Sequence, residues 1–135
     1  MIPVTGFAGQ SVAVFGLGRT GLAAAKALEA GGAKVCAWDD GEIARTRAEN
    51  AGVRVEDLNR RDWGDIAALV LSPGVPLPHP KPHRVVELAR AVGAPVIGDM
   101  ELFAMEAGKV DEVRVIGVTG TNGKSTTTAL IGHIL

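Results

Sequence analysis

The chain has 135 residues, 47% of them hydrophobic, with 18 glycines and a formal net charge of −1. This length suits one domain, and so small a charge gives no electrostatic reason to expect a nucleic acid or an anionic membrane as partner. The N-terminus lacks the pattern of a signal peptide, and no stretch approaches the roughly 20 apolar residues of a membrane span. The sequence therefore predicts a soluble, cytoplasmic protein, and its glycine-rich, aromatic-poor composition favours an α/β fold.

The first predicted strand covers residues 11–15 and enters the turn GLGRTG at residues 16–21, which a helix follows. A G-x-G-x-x-G turn between a strand and a helix is typical of dinucleotide-binding folds, although the pattern alone is a weak signal. Gly16 would allow the tight turn, Gly18 a close backbone approach to a pyrophosphate, and Gly21 close contact between helix and sheet.

A second strand, predicted over residues 34–38, ends at Asp39 and Asp40. In a dinucleotide-binding fold an acid at this position binds a ribose or a base edge. The alternative is that one of the two carboxylates caps the helix that follows. The single cysteine, Cys36, lies inside the strand, so we predict a buried structural thiol.

A short third strand is predicted over residues 53–55, and the apolar run at 66–71 has the composition of a central strand buried on both faces. The turn SPGVP at 72–76 follows, at the switch point where open α/β sheets bind ligands. His79 and His83 come next without a cysteine or acidic partner at ligand spacing. We expect exposed loop histidines there rather than metal ligands.

Helices are predicted over residues 84–92 and 100–107, on either side of a fifth strand at 95–98. This order predicts an α/β domain over residues 1–107 with a Rossmann-like, doubly wound, parallel five-stranded sheet. A polar linker at 108–112 follows.

Residues 113–135 are predicted to start a truncated ATP-binding domain, with a strand at 113–116, a P-loop at 117–125 (GVTGTNGKS) and a helix. Backbone N–H groups and the positive end of the helix would surround a polyphosphate. Lys124 would reach the β- and γ-phosphates and the Ser125 hydroxyl a Mg²⁺ ion. The loop is a variant, because Val118 stands where the general P-loop pattern has its first glycine.

Two phosphate-binding turns about 100 residues apart, with the turn at 72–76 and the segment GDMELF at 98–103 between them, resemble the Mur ligase family. The resemblance extends from about residue 10 to the end. It points to the member that adds D-glutamate to UDP-N-acetylmuramoyl-L-alanine in peptidoglycan synthesis, a process of cell wall biogenesis, cell shape and cell division.

The resemblance implies that the first domain holds the UDP part of the substrate. The residues implied for the UDP site are Gly18, Arg19, Thr20, Asp39, Asp40 and Gly74. Those implied for ATP are Gly120, Thr121, Asn122, Gly123, Lys124, Ser125 and Thr126, with Lys124 catalytic and Ser125 a Mg²⁺ ligand. Some relatives carry a Thr-Arg pair where this chain has Asp40-Gly41.

The reaction implied by the resemblance is ATP-dependent amide formation. ATP would phosphorylate the carboxylate of UDP-N-acetylmuramoyl-L-alanine, and the amine of D-glutamate would attack the acyl phosphate. The D-glutamate site would lie beyond Leu135. This chain alone, expected to be a monomer, should then bind UDP-type ligands weakly and catalyse nothing.

Two other functions compete with the ligase. A nicotinamide-binding domain of an oxidoreductase would explain residues 16–21 and Asp39, but it leaves residues 117–125 unexplained, and the chain contains no tyrosine that could act in catalysis. A regulatory nucleotide-binding module without catalysis is the second alternative.

Overall fold

The computed structural model describes residues 1–77, 81–111 and 113–135. The expectation for His79 and the last residue of the predicted linker, Glu112, lie outside the described residues. The strands are β1 (Ser11–Phe15), β2 (Lys34–Trp38), β3 (Ile66–Leu71) and β4 (Val96–Ile97). The helices are α1 (Arg19–Ala30), α2 (Glu42–Asn50), α3 (Arg84–Ala91), α4 (Asp99–Ala107) and α5 (Lys124–Ile134), and a 3₁₀ turn covers Thr5–Phe7.

The four strands form a parallel sheet in the order β2-β1-β3-β4. β2 lies on one side of β1 and β3 on the other, so the direction in which successive strands are added reverses at β1. In the register of the sheet Phe15 pairs with both Trp38 and Leu71, so the carboxyl ends of the three strands meet at one edge. This edge is where an open α/β sheet binds its ligands.

The sheet is buried on both faces. Val12 and Val14 of β1 belong to a core that includes residues of α1, α2 and α4, whereas Ala13 and Phe15 belong to a second core that includes residues of α3. Five of the six residues of β3 are buried. The α/β class and the central position of β3 are therefore as predicted.

The sheet has four strands in the described ranges, not the predicted five. Residues 53–55 form one bridge, Val55 to Ala37, in place of a third strand. The N–H of Glu56 still donates to the carbonyl of Ala37 (3.0 Å), but Asp57 then accepts the N–H of Asn59 (2.9 Å) and turns the chain away from β2.

The predicted strand at 113–116 is likewise not formed. A strand needs a neighbour for its backbone N–H and C=O groups, and none of the described strands pairs with this segment. Its apolar side chains remain exposed.

Cys36 of β2 is buried, as predicted, and burial raises the pKa of its thiol.

Glu106 of α4 connects this helix to the N-terminal turn. Its carboxylate accepts hydrogen bonds from the N–H groups of Thr5 (2.9 Å) and Gly6 (3.2 Å) and from the ammonium of Lys109 (2.7 Å). The lysine contact first, and then the two N–H groups, lower the pKa of the Glu106 carboxyl. No helix of the described residues has the length and apolarity to cross a membrane.

Candidate functional site

The turn between β1 and α1 needs glycine at two positions because of what packs around it. Gly16 has a φ of +90°, and a Cβ there would lie 2.7 Å from the Cβ of Ser72. A Cβ on Gly21 would lie 1.7 Å from the carbonyl oxygen of Gly16. The tight turn predicted for Gly16 and the close helix approach predicted for Gly21 are both confirmed.

Gly18, Arg19 and Thr20, which lie between these two glycines, are exposed at the N-terminus of α1. Gly18 is the N-cap, with a φ of −64°, and a Cβ on it would meet no atom within 4 Å among the described residues. The fold itself therefore does not require a glycine here. The first N–H groups of a helix lack intrahelical acceptors and carry partial positive charge, so this end of α1 can bind an anion such as a phosphate.

Asp39 shapes the turn from the end of β2. Its Oδ2 accepts the N–H of Leu17 at 2.6 Å, and its Oδ1 accepts the N–H of Gly41 at 2.7 Å. The N-cap of α2 is Gly41, without a side-chain cap, so neither Asp39 nor Asp40 caps this helix and that alternative is wrong. A ligand contact by Asp39 stays a prediction, and any such contact would have to share oxygens that already accept backbone N–H groups.

Arg45 fixes the backbone between β2 and α2. Its Nη1 donates to the carbonyl oxygens of Asp39 (2.7 Å) and Asp40 (2.8 Å), and its guanidinium carbon lies 4.5 Å from the ring centre of Trp38. A planar cation on an aromatic ring is a favourable contact. Arg45 therefore holds the two aspartates at the sheet edge.

His83 is not the exposed loop histidine that we expected. Its ring lies 4.2 Å from that of Phe15 at 36°, its Nδ1 accepts the N–H of Val85 (3.3 Å), and it is the N-cap of α3. Its Nε2 lies 3.0 Å from Oδ2 of Asp40. The two side chains thus join the loop after β2 to the start of α3.

The turn after β3 lies against the first glycine-rich turn. The Ser72 hydroxyl donates to the carbonyl oxygen of Gly16 at 2.6 Å. Gly74 is exposed with a φ of +92°, so its backbone conformation favours glycine. This places the turn at 72–76 beside the N-terminus of α1.

The second glycine-rich turn is exposed from residue 119 onward. Gly123, with a φ of +77°, is the N-cap of α5, and the Lys124 ammonium donates to the carbonyl oxygen of Gly120. The exposed residues include all those predicted to bind ATP: Gly120, Thr121, Asn122, Gly123, Lys124, Ser125 and Thr126. The predicted helix after the loop is formed, but no hydrogen bond among the described residues joins this turn to the first one.

The sequence interpretation missed Arg45 and His83. A signal exists for each: Arg45 lies four residues after Gly41, within reach of the chain that enters α2, and His83 stands directly before a predicted helix, where an N-cap is expected. The position of His83 does not reveal its partners, because Asp40 and Phe15 come from other elements.

A profile of the family described as "Mur ligase MurD-like, N-terminal domain" matches residues 10–98. The UDP-N-acetylmuramoylalanine--D-glutamate ligase of Phenylobacterium zucineum (strain HLK1) is 60% identical over 137 residues, which cover 99% of this chain and 29% of that protein. The enzyme of the same name from Brucella abortus (strain 2308) is 54% identical over 136 residues, covering 100% of this chain and 29% of the relative. The chain thus spans less than a third of the length of these curated relatives.

Among solved structures, shikimate dehydrogenase from Aquifex aeolicus superposes with a TM-score of 0.53 at 20% identity, over 80% of this chain and 51% of that one. At this identity the likeness concerns the fold alone. It agrees with a Rossmann-like arrangement of the parallel sheet.

Proposed function

The chain belongs to the MurD-like N-terminal domain family of the Mur ligases, and from this premise we propose that residues 1–107 hold the UDP part of UDP-N-acetylmuramoyl-L-alanine. The observation that carries the proposal is the open N-terminus of α1 at Gly18. The packing does not require a glycine there, whereas a diphosphate approaching the backbone would.

The diphosphate would lie against the first turn of α1. The N–H groups of Arg19 and Thr20 point along the helix axis toward such an anion, and the Thr20 hydroxyl and Arg19 guanidinium can add contacts. The turn is already held without a ligand, because Asp39 accepts the N–H of Leu17 and Ser72 donates to the carbonyl of Gly16. Binding then requires little ordering of the backbone, which favours affinity.

The nucleoside would extend from the diphosphate toward the end of β2. Asp40 is exposed there, and Arg45 fixes its carbonyl. Gly74 lies in the turn after β3, on the other side of β1, so the two could flank one ligand. This assignment follows the resemblance and the position of both residues at the carboxyl edge of the sheet.

For the longer protein we propose the ATP-dependent addition of D-glutamate to UDP-N-acetylmuramoyl-L-alanine, in peptidoglycan synthesis. The substrate carboxylate would take the γ-phosphoryl group of ATP, and the amine of D-glutamate would displace phosphate from the acyl phosphate. Lys124 would stabilise negative charge as the phosphoryl group moves. The D-glutamate site would lie outside these 135 residues.

The residues at the start of α5 fit ATP and Mg²⁺ in their chemistry. The exposed N-terminus of α5 can bind phosphate as that of α1 can, and Mg²⁺ prefers oxygen ligands such as the exposed Ser125 hydroxyl. Bound Mg²⁺ would neutralise phosphate charge. To reach ATP, the Lys124 ammonium must leave the carbonyl of Gly120.

Calorimetric titration of this chain with UDP, UDP-N-acetylmuramoyl-L-alanine and NADH tests the proposal. We expect both UDP compounds to bind and NADH not to bind. Thr20→Trp and Gly18→Ala should weaken binding by about tenfold or more, because each side chain would stand where the diphosphate approaches the helix. Gly132→Ala in α5 is the matched control, since that glycine also has no atom within 4 Å of an added Cβ.

Binding of NADH without the UDP compounds would favour the oxidoreductase alternative instead. In dinucleotide-binding domains an acid at this position binds the ribose hydroxyls. In this chain each oxygen of Asp39 already accepts one backbone N–H group.

A further inference from the structure

Glu106, near the end of α4, is a carboxylate whose side chain is only 8% exposed. Its oxygens accept four hydrogen bonds: from the N–H groups of Thr5 and Gly6, from the ammonium of Lys109, and from the Thr5 hydroxyl at 3.2 Å. Burial of a carboxylate is costly unless its oxygens are bonded in this way. The burial of Glu106 therefore depends on the N-terminal turn and on Lys109 together.

Lys109 lies two residues beyond the end of α4, and its ammonium contacts both of the other side chains. It donates to Oε1 of Glu106 at 2.7 Å and to the hydroxyl oxygen of Thr5 at 2.9 Å. The first contact joins near neighbours, but the second joins residues that are 104 positions apart in the sequence. Lys109 thus connects the chain that leaves α4 to the N-terminal turn.

The N-terminal turn is itself fixed to α1. The N–H of Val4 donates to the carbonyl oxygen of Ala27 at 2.8 Å, and Val4 is buried. A Cβ on Gly31 would lie 1.8 Å from the carbonyl oxygen of Val4, so the turn lies directly against the end of α1. The contacts of Lys109 and Glu106 therefore join the residues after α4 to the body of the domain.

The hydrogen bonding of the chain changes after Val110. The N–H groups of Gly108, Lys109 and Val110 all donate to carbonyl oxygens of α4. Between residues 113 and 117, in contrast, no backbone group bonds to any residue that the structure describes. These residues lead to the second glycine-rich turn, so the last attached position before them that the structure describes is at or close to Val110.

We propose that Thr5, Glu106 and Lys109 form an anchor that fixes the chain to the first domain as far as Val110, and that Glu106 and Lys109 thereby position the second glycine-rich turn relative to the first. The functional part rests on the proposed function, since it matters only if the two turns hold the two substrates of one reaction. The backbone bonds of residues 108–110 alone would not suffice, because the ends of helices fray.

The anchor limits how far the second turn can lie from the first domain. An extended chain covers at most about 3.5 Å per residue, so the steps from Val110 to Gly117 span about 25 Å, whereas those from Ala107 would span about 35 Å. A shorter tether raises the effective concentration of the second turn near the first domain. This favours phosphoryl transfer, because ATP at one turn must meet a carboxylate held by the other domain.

Four substitutions separate the anchor from the helix end. Lys109→Met keeps the length of the side chain and its backbone N–H but removes the ammonium, whereas Lys109→Arg keeps a cation. Thr5→Val removes the hydroxyl with little change in shape. Lys34→Met is the matched control, because Lys34 is an exposed lysine at the start of β2, outside the anchor.

The measurement is the NMR order parameter of each backbone N–H group, with melting temperatures recorded for every variant. In the wild type the values for Lys109 and Val110 should equal those of α4, about 0.85, and Lys109→Met should lower both toward the 0.6 or less of flexible backbone. Thr5→Val should lower them by a smaller amount, because Lys109 keeps Glu106 as a partner. Lys109→Arg and Lys34→Met should leave them unchanged.

A second measurement reports the tether itself. Spin labels on Arg47→Cys in α2 and Gly132→Cys in α5 give the distribution of distances between the first domain and α5. Adding Lys109→Met should extend the longest distances by up to about 10 Å, the length of three further residues. Adding Lys34→Met should not extend them.

Two outcomes would overturn the anchor. The first is a pair of low order parameters at Lys109 and Val110 in the wild type. The second is a pair of wild-type values in both Lys109→Met and Thr5→Val, even with lowered melting temperatures, because the side chains would then contribute to stability alone. UDP should bind equally to the wild type and to all variants, since none of them changes the proposed UDP site. If UDP does not bind the wild type, the proposed function fails, while the order parameters still decide whether the anchor exists.

Discussion

The two glycine-rich turns each lead into a helix, but their surroundings are very different. In the first, Gly16 and Leu17 are buried, and Ser72 and Asp39, from the ends of two other strands, bond to their backbone. In the second, residues 119–130 are all exposed, and Lys124 bonds within its own loop. A glycine pattern specifies a turn, but a rigid binding site also needs partners that are distant in the sequence.

This difference has a consequence for binding. A ligand at the first turn meets backbone groups that are already held in place, whereas a ligand at the second turn must also order the loop and move the lysine. We therefore expect this chain to bind UDP compounds more tightly than it binds ADP. The largest changes in stability should likewise come from the first turn.

Gly21→Ala should have the largest effect. The new Cβ would lie 1.7 Å from the carbonyl oxygen of Gly16 and 2.5 Å from Oγ of Ser72, so the turn or α1 must move. Overpacking of this severity should destabilise the fold by about 3 kcal/mol or more, measured by urea denaturation followed by circular dichroism. Gly18→Ala, in the same turn but without a contact, should unfold close to the wild-type midpoint. Equal midpoints for Gly21→Ala and Gly18→Ala would contradict the packing described for the turn.

Ser72→Ala and Ser125→Ala compare the same substitution beside each turn. The first removes the hydroxyl that donates to the carbonyl of Gly16 (2.6 Å) and should lower the free energy of unfolding by about 1–2 kcal/mol. The second removes an exposed hydroxyl and should change it by less than about 0.5 kcal/mol. Urea denaturation of both variants under one set of conditions provides the measurement. A larger loss in Ser125→Ala would show that the second turn is held as firmly as the first.

Local patterns were sufficient for the parts of the fold that depend on near neighbours. The positions of Gly16 and Gly21 predicted the tight turn and the close helix, and the apolar run at 66–71 predicted the central strand. The prediction of a three-residue strand at 53–55 was wrong, because apolar side chains do not show where the pairing between two strands ends. Here the pairing with β2 ends where Asp57 turns the chain. The prediction of a strand at 113–116 was wrong because a strand needs a neighbouring strand to pair with, and none of the described strands pairs with this segment.

The candidate site was predicted less completely. The resemblance named Gly18, Asp40 and Gly74, but it could not show that Asp39 is engaged by two backbone N–H groups or that His83 reaches Asp40. These contacts join residues up to 43 positions apart. They depend on the parallel sheet that brings the carboxyl ends of its strands together.

The smallest expected effect is a pH dependence that belongs to the packed domain. The pKa of Glu106 is lowered in the folded chain, first by the Lys109 ammonium and then by the N–H groups of Gly6 and Thr5. A lowered pKa stabilises the fold above the ordinary glutamate value of about 4.3, and this stabilisation is lost as the pH falls through the lower, folded-state value. The pKa of Asp65, lowered first by the Ser11 hydroxyl and also by Arg61, acts in the same direction.

Urea midpoints at pH 7 and pH 3 should therefore differ less in Glu106→Gln than in the wild type, with Asp65 accounting for part of the remaining difference. An identical loss of stability in both proteins would mean that the carboxylate of Glu106 does not help to hold the N-terminal turn on α4.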